Sequence, residues 1–169
     1  MKYLSLALLF ATLTASGAER IQLWGKCFQG MSPTEVLETY PEAVEYKDKY
    51  TFPDYKGSRC LIIIKNKLLP IDMFSRYNVR FYFNDDGLQK VSLNSLSGNT
   101  RQKEELIRLL SEKYGKPAYE EEIADLIRKE WEKNGTDVRF EYSNRNGDNP
   151  EIGIYYYAGR TKDFLENEL

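Results

Sequence analysis

The sequence predicts an α+β fold in two layers, an antiparallel β-sheet with two helices packed on one face. Three observations predict it. Between Ile127 and Tyr157, Trp131, Val138, Phe140, Tyr142, Ile152, Ile154 and Tyr156 fall on alternate positions of three successive runs, the period of half-buried strands. Two other stretches, 32–40 and 100–115, carry apolar residues at helical spacing. Asn134-Gly135 separates two of the strand runs, and a two-residue type I′ turn needs positive φ at both of its central positions.

The chain opens on Met1–Ala18, where Lys2 precedes a nearly unbroken apolar run from Leu4 to Leu13 and Ser16-Gly17-Ala18 supplies small residues. The run is short for a bilayer-crossing helix, so the segment reads as a signal peptide cleaved after Ala18; a buried N-terminal helix is the other reading. No cysteine follows the cleavage point to carry a lipid. Residues 19–169 then suit one domain, exported and without stable membrane insertion.

Ile21–Trp24 reads as a short opening strand. Ser32 caps the first helix, Pro33 takes its first position and Glu35 completes a capping box. That helix ends near Tyr40, before Pro41, with Val36, Leu37 and Tyr40 on one face; it is too short to persist unpacked. Residues 42–59 are polar, interspersed with Tyr46, Tyr50, Phe52 and Tyr55 and broken by Pro53 and Gly57. They predict a long surface loop whose aromatics either meet a partner or pack on the domain. Leu61–Ile64 is a buried strand.

Strands over 79–83 and 88–96 form a hairpin around Asp85-Asp86-Gly87. A three-residue loop with Gly87 left-handed pairs Phe83 with Gln89, Phe81 with Val91 and Val79 with Leu93. The second helix spans Thr100 to Tyr114, with Leu106, Ile107, Leu109, Leu110 and Tyr114 as its stripe, Gly115 just past its end and Pro117 beyond. Residues 119–125 are acidic and read equally as helix or loop. The last strands cover 127–133, 136–142 and 151–157, and the Asn-Gly turn pairs Lys133 with Thr136 and Trp131 with Val138. The tail Ala158–Leu169 reads as a frayed helical turn. The chain thus contains two helix-then-strands units.

The cysteines are Cys27 and Cys60. In an exported protein they are expected to form a disulfide, which by the chain-entropy estimate is worth roughly 3.5–4 kcal/mol for a loop of this size. A free reactive thiol is the alternative, but no neighbouring residue resembles a pKa-lowering site.

The segments Gly30-Met31-Ser32-Pro33-Thr34-Glu35-Val36-Leu37 and Leu109-Leu110-Ser111-Glu112-Lys113-Tyr114-Gly115-Lys116-Pro117 resemble helix-opening and helix-closing motifs of the bacterial SmpA/OmlA envelope proteins and of the β-lactamase inhibitor protein fold. The chain is also similar to a group of small exported bacterial envelope proteins of uncharacterised function. They share a Gly-Met-Ser/Thr helix start, a Phe-x-Phe hairpin, a Lys-Tyr-Gly-x-Pro helix end and a Trp-then-Gly-Thr hairpin. The resemblance implies binding or scaffolding in the cell envelope without catalysis. The lipidated cysteine of the SmpA/OmlA pattern is missing.

Composition narrows the chemistry. There are 24 Lys and Arg against 26 Asp and Glu, with the signs interspersed and no basic stripe for nucleic acid. There is no histidine, which removes His-based triads and the usual zinc sites. Glycine-rich phosphate loops are absent, and no cofactor or metal is implied. Of the carboxylates, Asp85 and Asp86 suit a turn. Glu120, Glu121, Glu122 and Asp125 offer either a hydrolytic acid pair or a solvated acidic stretch. Residues 144–149 vaguely resemble a calcium loop but lack the distal Glu, and read as a hairpin loop. No catalytic residue is assigned.

Tyrosine is the outlier, with 13 residues, a type that suits both strands and recognition surfaces. If Phe81, Val91, Val138, Phe140, Ile154 and Tyr156 face the helices, then Arg80, Tyr82, Arg139, Tyr155 and Tyr157 share the outer sheet face. That set has the composition of an interface hot spot, and equally that of an ordinary solvated face. The expectation is an exported, non-catalytic protein-binding or adaptor protein of the bacterial envelope. Its partner would be another envelope protein or an extracellular enzyme, held on this face. An inhibitor or immunity-type protein blocking a secreted enzyme is the alternative, and a carboxylate-dependent hydrolase a third reading.

Overall fold

Strand makes up 55% of the structure and helix 19%, which overturns the expected two-layer α+β sandwich: the protein is mainly β. The computed structural model describes residues 20–47, 57–69, 72–95, 98–144 and 150–159. The leader segment, the aromatics Tyr50, Phe52 and Tyr55, the loop at 145–149 and the tail beyond residue 159 lie outside the described residues.

β1 (Gln22–Trp24) and β2 (Cys27–Phe28) form a small two-stranded sheet. α1 (Pro33–Thr39) begins as the sequence predicts: the Ser32 side chain accepts from the Glu35 N–H at 3.2 Å, and the Ser32 N–H donates to the Glu35 carboxylate at 2.7 Å. Four strands follow, β3 (Val44–Glu45), β4 (Arg59–Leu69), β5 (Asp72–Asn84) and β6 (Gly87–Ser95). α2 (Thr100–Tyr114) starts on an Asn99 cap and ends on Gly115, and four more strands complete the chain: β7 (Tyr119–Ile123), β8 (Leu126–Lys133), β9 (Thr136–Ser143) and β10 (Glu151–Ala158). The large sheet is antiparallel, in the order β3-β4-β5-β6-β10-β9-β8-β7. Each helix therefore leads into a four-strand meander, and the two meanders join through their last strands.

The core follows the alternation. Ile62, Ile64, Val79, Phe81, Val91, Leu93, Trp131, Val138, Phe140, Ile152, Ile154 and Tyr156 lie in one buried cluster, to which α1 and α2 add Val36, Leu106 and Leu110. Trp24 stacks on Tyr40 at 5.5 Å, and both rings rest near Phe81. Asn134 and Gly135 take φ of 55° and 77°, and the turn gives the expected Lys133–Thr136 and Trp131–Val138 pairs. The Trp131 indole donates to the Gly115 carbonyl at 3.0 Å, tying the end of α2 to β8.

Several expectations need correction. Residues 119–123 are the edge strand β7, and Val44–Glu45 is a strand within the stretch read as loop. In the β5–β6 hairpin, Phe81–Val91 and Val79–Leu93 pair as expected, but Phe83 meets Leu88 rather than Gln89. Asn84 pairs with Gly87 across a two-residue turn, and a bulge absorbs the extra residue between the Phe83 and Tyr82 pairs. Cys27 and Cys60 are free, buried thiols and do not form the expected disulfide. Cys27 belongs to the core cluster, whereas Cys60 pairs with Tyr82 on the other face. A register shift between Cys60 and Ile62 is the cause, since one extra residue at Leu61 reverses the side to which Cys60 points.

Candidate functional site

Residues that alternate with the core side chains form the outer face of the large sheet, and cross-strand pairing orders them into rows. One row runs Asn78–Asn94–Gly153–Glu141–Arg128–Glu121 across β5, β6, β10, β9, β8 and β7. The next runs Arg80–Ser92–Tyr155–Arg139–Glu130–Tyr119, and the third Tyr82–Lys90–Tyr157–Asp137–Glu132. All five residues predicted for a binding face thus occupy one side of the sheet, in two adjacent rows.

Their exposure differs. Arg80, Tyr82 and Tyr155 are half-buried, while Tyr157 and Arg139 are only 6% and 7% exposed. The two buried residues support the face rather than present themselves on it. Arg139 Nε donates to Glu130 at 2.7 Å and its NH1 to Glu141 at 3.3 Å. Burial works against the Arg139 charge, but Tyr157, Glu130 and Glu141 more than offset it, so its pKa lies above the ordinary arginine value. Arg128 bridges Glu141 at 3.3 Å and Glu121 at 3.6 Å, so charges alternate across β7, β8 and β9.

Sequence reasoning missed Lys90, which is 4% exposed on the same face. Its ammonium lies 4.0 Å from the centre of the Tyr82 ring and 5.7 Å from the centres of both Tyr155 and Tyr157, an arrangement in which the ring faces stabilise the buried cation. It also missed Gly153. A Cβ there would sit 2.7 Å from Cε2 and Cζ of Tyr155, with the hydroxyl closer still, so the tyrosine ring lies where a side chain at 153 would stand. A glycine inside an otherwise apolar strand was the available signal, because it often marks close approach of another group. Burial, then the nearby Glu141 charge, pushes the Tyr155 phenol up to about 12.

Beside Gly153 and the Tyr155 ring that covers it lies a groove of about 480 Å³. Asn78, Arg80 and Asn94 line one side and Glu141, Ser143 and Leu126 the other, with Tyr155 and Glu151 also in the lining. Asn94 organises the first side: its Oδ1 accepts from Arg80 NH1 at 3.1 Å and from Ser92 Oγ at 3.0 Å, and its amide reaches the Tyr155 hydroxyl at 3.5 Å. The volume is in the range of small-ligand sites and the lining is more polar than most.

The acidic stretch at 120–122 lies on the edge strand β7. On β7, Glu120 and Glu121 point to opposite faces; Glu120 pairs with Lys129 and Glu121 with Arg128. Among the described residues no group of three or more Cys, Asp and Glu is placed to hold a metal ion. None of the described helices is long and apolar enough to cross a membrane.

No protein-family model and no curated protein matches the chain. A solved structure of a DUF4309 family protein (YjgB) from Bacillus subtilis subsp. subtilis str. 168 is similar to it at a TM-score of 0.41 and 9% identity, over 75% of this chain and 78% of that one. So distant a likeness says nothing of function.

Proposed function

We propose that the protein is an exported, non-catalytic binding or adaptor protein of the bacterial cell envelope that docks another protein on the outer face of its large sheet. The observation that carries this reading is the meeting of Arg80 and Tyr155, both half-buried, in the lining of one polar groove, with half-buried Tyr82 in the adjacent row of the same face. Tyrosine and arginine supply large contact area and directional donors at little entropic cost, as in interface hot spots. The leader-like Met1–Ala18 supports export.

Photo-crosslinking in envelope extract tests it. Benzoylphenylalanine at Tyr82 is expected to label one protein, and the same group at Glu38, an exposed position on α1, is not. Equal labelling from both positions, or none from Tyr82, overturns the reading.

A further inference from the structure

Arg80 differs from its neighbours on the outer face in what surrounds it. Arg128 and Arg139 each have two carboxylates. Arg80 makes one hydrogen bond among the described residues, from NH1 to the Asn94 Oδ1, and no ion pair. A guanidinium has five N–H donors in a planar fork, so this one is held in position by an amide while most of its donors remain for something else. It is half-buried and lines the groove beside Gly153. Partial desolvation raises what an incoming anion gains there, and the fork matches a carboxylate in two parallel hydrogen bonds.

The opposite wall sets the charge of the ligand. Glu141 and Glu151 also line the groove, and Glu141 is compensated by Arg128 and Arg139, each at 3.3 Å. One negative charge is tolerated between these walls. A doubly charged phosphate meets repulsion from Glu151, and among the described lining residues Arg80 is the one cation to offset it.

We propose that the groove is a carboxylate-binding site, in which Arg80 receives a single carboxylate of the partner polypeptide, from its C terminus or from an Asp or Glu side chain. This rests on the partner-binding reading above and specifies what the partner must present.

Nuclear magnetic resonance titration of the full chain, following the Arg80 Nε–Hε signal, tests it with four probes. Three are short acetylated peptides: one ending in a free carboxylate, one amidated with an internal Asp, and one amidated and uncharged. The fourth is inorganic phosphate. One or both carboxylate peptides are expected to shift the signal, and the first two peptides separate the two sources. Arg80→Gln is expected to weaken that binding roughly ten- to a hundredfold, with Arg80→Lys recovering only part because it lacks the fork. A melting temperature within a few degrees of wild type shows that the variants fold. Equal binding of the uncharged peptide, phosphate binding as tight as carboxylate, or unchanged affinity in Arg80→Gln overturns the proposal. If no carboxylate peptide binds while the Tyr82 crosslink persists, this inference falls and the partner-binding reading stands. If the peptides bind and Tyr82 labels nothing, the carboxylate site stands and the protein-partner reading falls.

Discussion

Gly153→Ala probes the link between the sheet and its outer face. The residue is outside the positive-φ range, so the backbone itself accepts alanine. The obstacle is the Tyr155 ring, two of whose carbons lie 2.7 Å from the new Cβ. The ring must swing away, leaving its stack on Tyr157, at 6.4 Å, and its place beside Lys90. The aromatic pair is worth about 0.5–1.5 kcal/mol and the cation–π contact about 0.5–1 kcal/mol. Replacing glycine returns about 0.4–1 kcal/mol by reducing the freedom of the unfolded chain. The net loss is at most about 2 kcal/mol, centred near about 1, or a fall of up to about 8 °C in Tm for a chain of this size. A double-mutant cycle by urea denaturation isolates the cause. In a Tyr155→Ala background the obstacle is gone, so Gly153→Ala is expected to become neutral or stabilising. The same cost in both backgrounds would refute the claim that Tyr155 is what excludes a side chain at 153.

Other perturbations follow from the same geometry. Gly87 and Gly115 have φ of 90° and 92°, but a Cβ at Gly87 would meet Gly30 backbone atoms at 2.6–2.9 Å and one at Gly115 meets nothing within 4 Å. Gly87→Ala should therefore cost roughly 1–3 kcal/mol more than Gly115→Ala in urea melts, the usual range for overpacking; equal losses would show that the Gly30 contact is unimportant. Both thiols should resist a thiol reagent until the protein is unfolded and then titrate as two, with a Tm indifferent to reductant; a Tm that drops on reduction would mean that the cysteines pair. At alkaline pH, burial holds Cys60 up to about 11, and Cys27 and Tyr155 up to about 12. The native state keeps these protons longer than the unfolded chain, whose thiols and phenols titrate near about 8.5 and 10. Their contribution is intact below those values and is lost as pH rises toward 11–12. The unfolding free energy is expected to be flat from pH 7 to 8 and to fall by pH 11; equal stability at pH 8 and 11 contradicts the burial of these groups.

The strands that the sequence revealed are those whose information is local. β8, β9 and β10 alternate cleanly and the Asn134-Gly135 turn fixes the register between the first two, so their pairs could be written down residue by residue. β7 has no such signal. Tyr-Glu-Glu-Glu-Ile is poor in strand formers, and it is held as an edge by partners that lie on β8, Lys129 against Glu120 and Arg128 against Glu121. The N-terminal part of β5, beginning at Asp72, is likewise a strand because β4 pairs with it, through Leu69–Asp72 and Leu68–Arg76. Cys60 shows the limit of parity. It shares the phase of Ile62 and Ile64 and on a regular strand would face the core that holds Cys27, but one bulge residue turns it over. Bulges answer to three-dimensional strain and leave little trace in a single sequence.

Parity found the outer face, but it could not tell which residues there remain accessible. Exposure depends on what each side chain leans against, and Lys90 among three tyrosines, or Arg139 between two glutamates, is a property of neighbours brought together from distant strands. Those contacts also divide the face. Over β7, β8 and β9 a partner would have to break or bypass ion pairs that include the 2.7 Å bond from Arg139 to Glu130, both largely buried; opening such a pair leaves an uncompensated charge, at a typical cost of about 3–5 kcal/mol. Over β5, β6 and β10 the Arg80 guanidinium is oriented by an amide and, among the described residues, has no carboxylate to surrender. A docking partner has least to undo on that side, which is also where the groove beside Gly153 and Tyr155 lies.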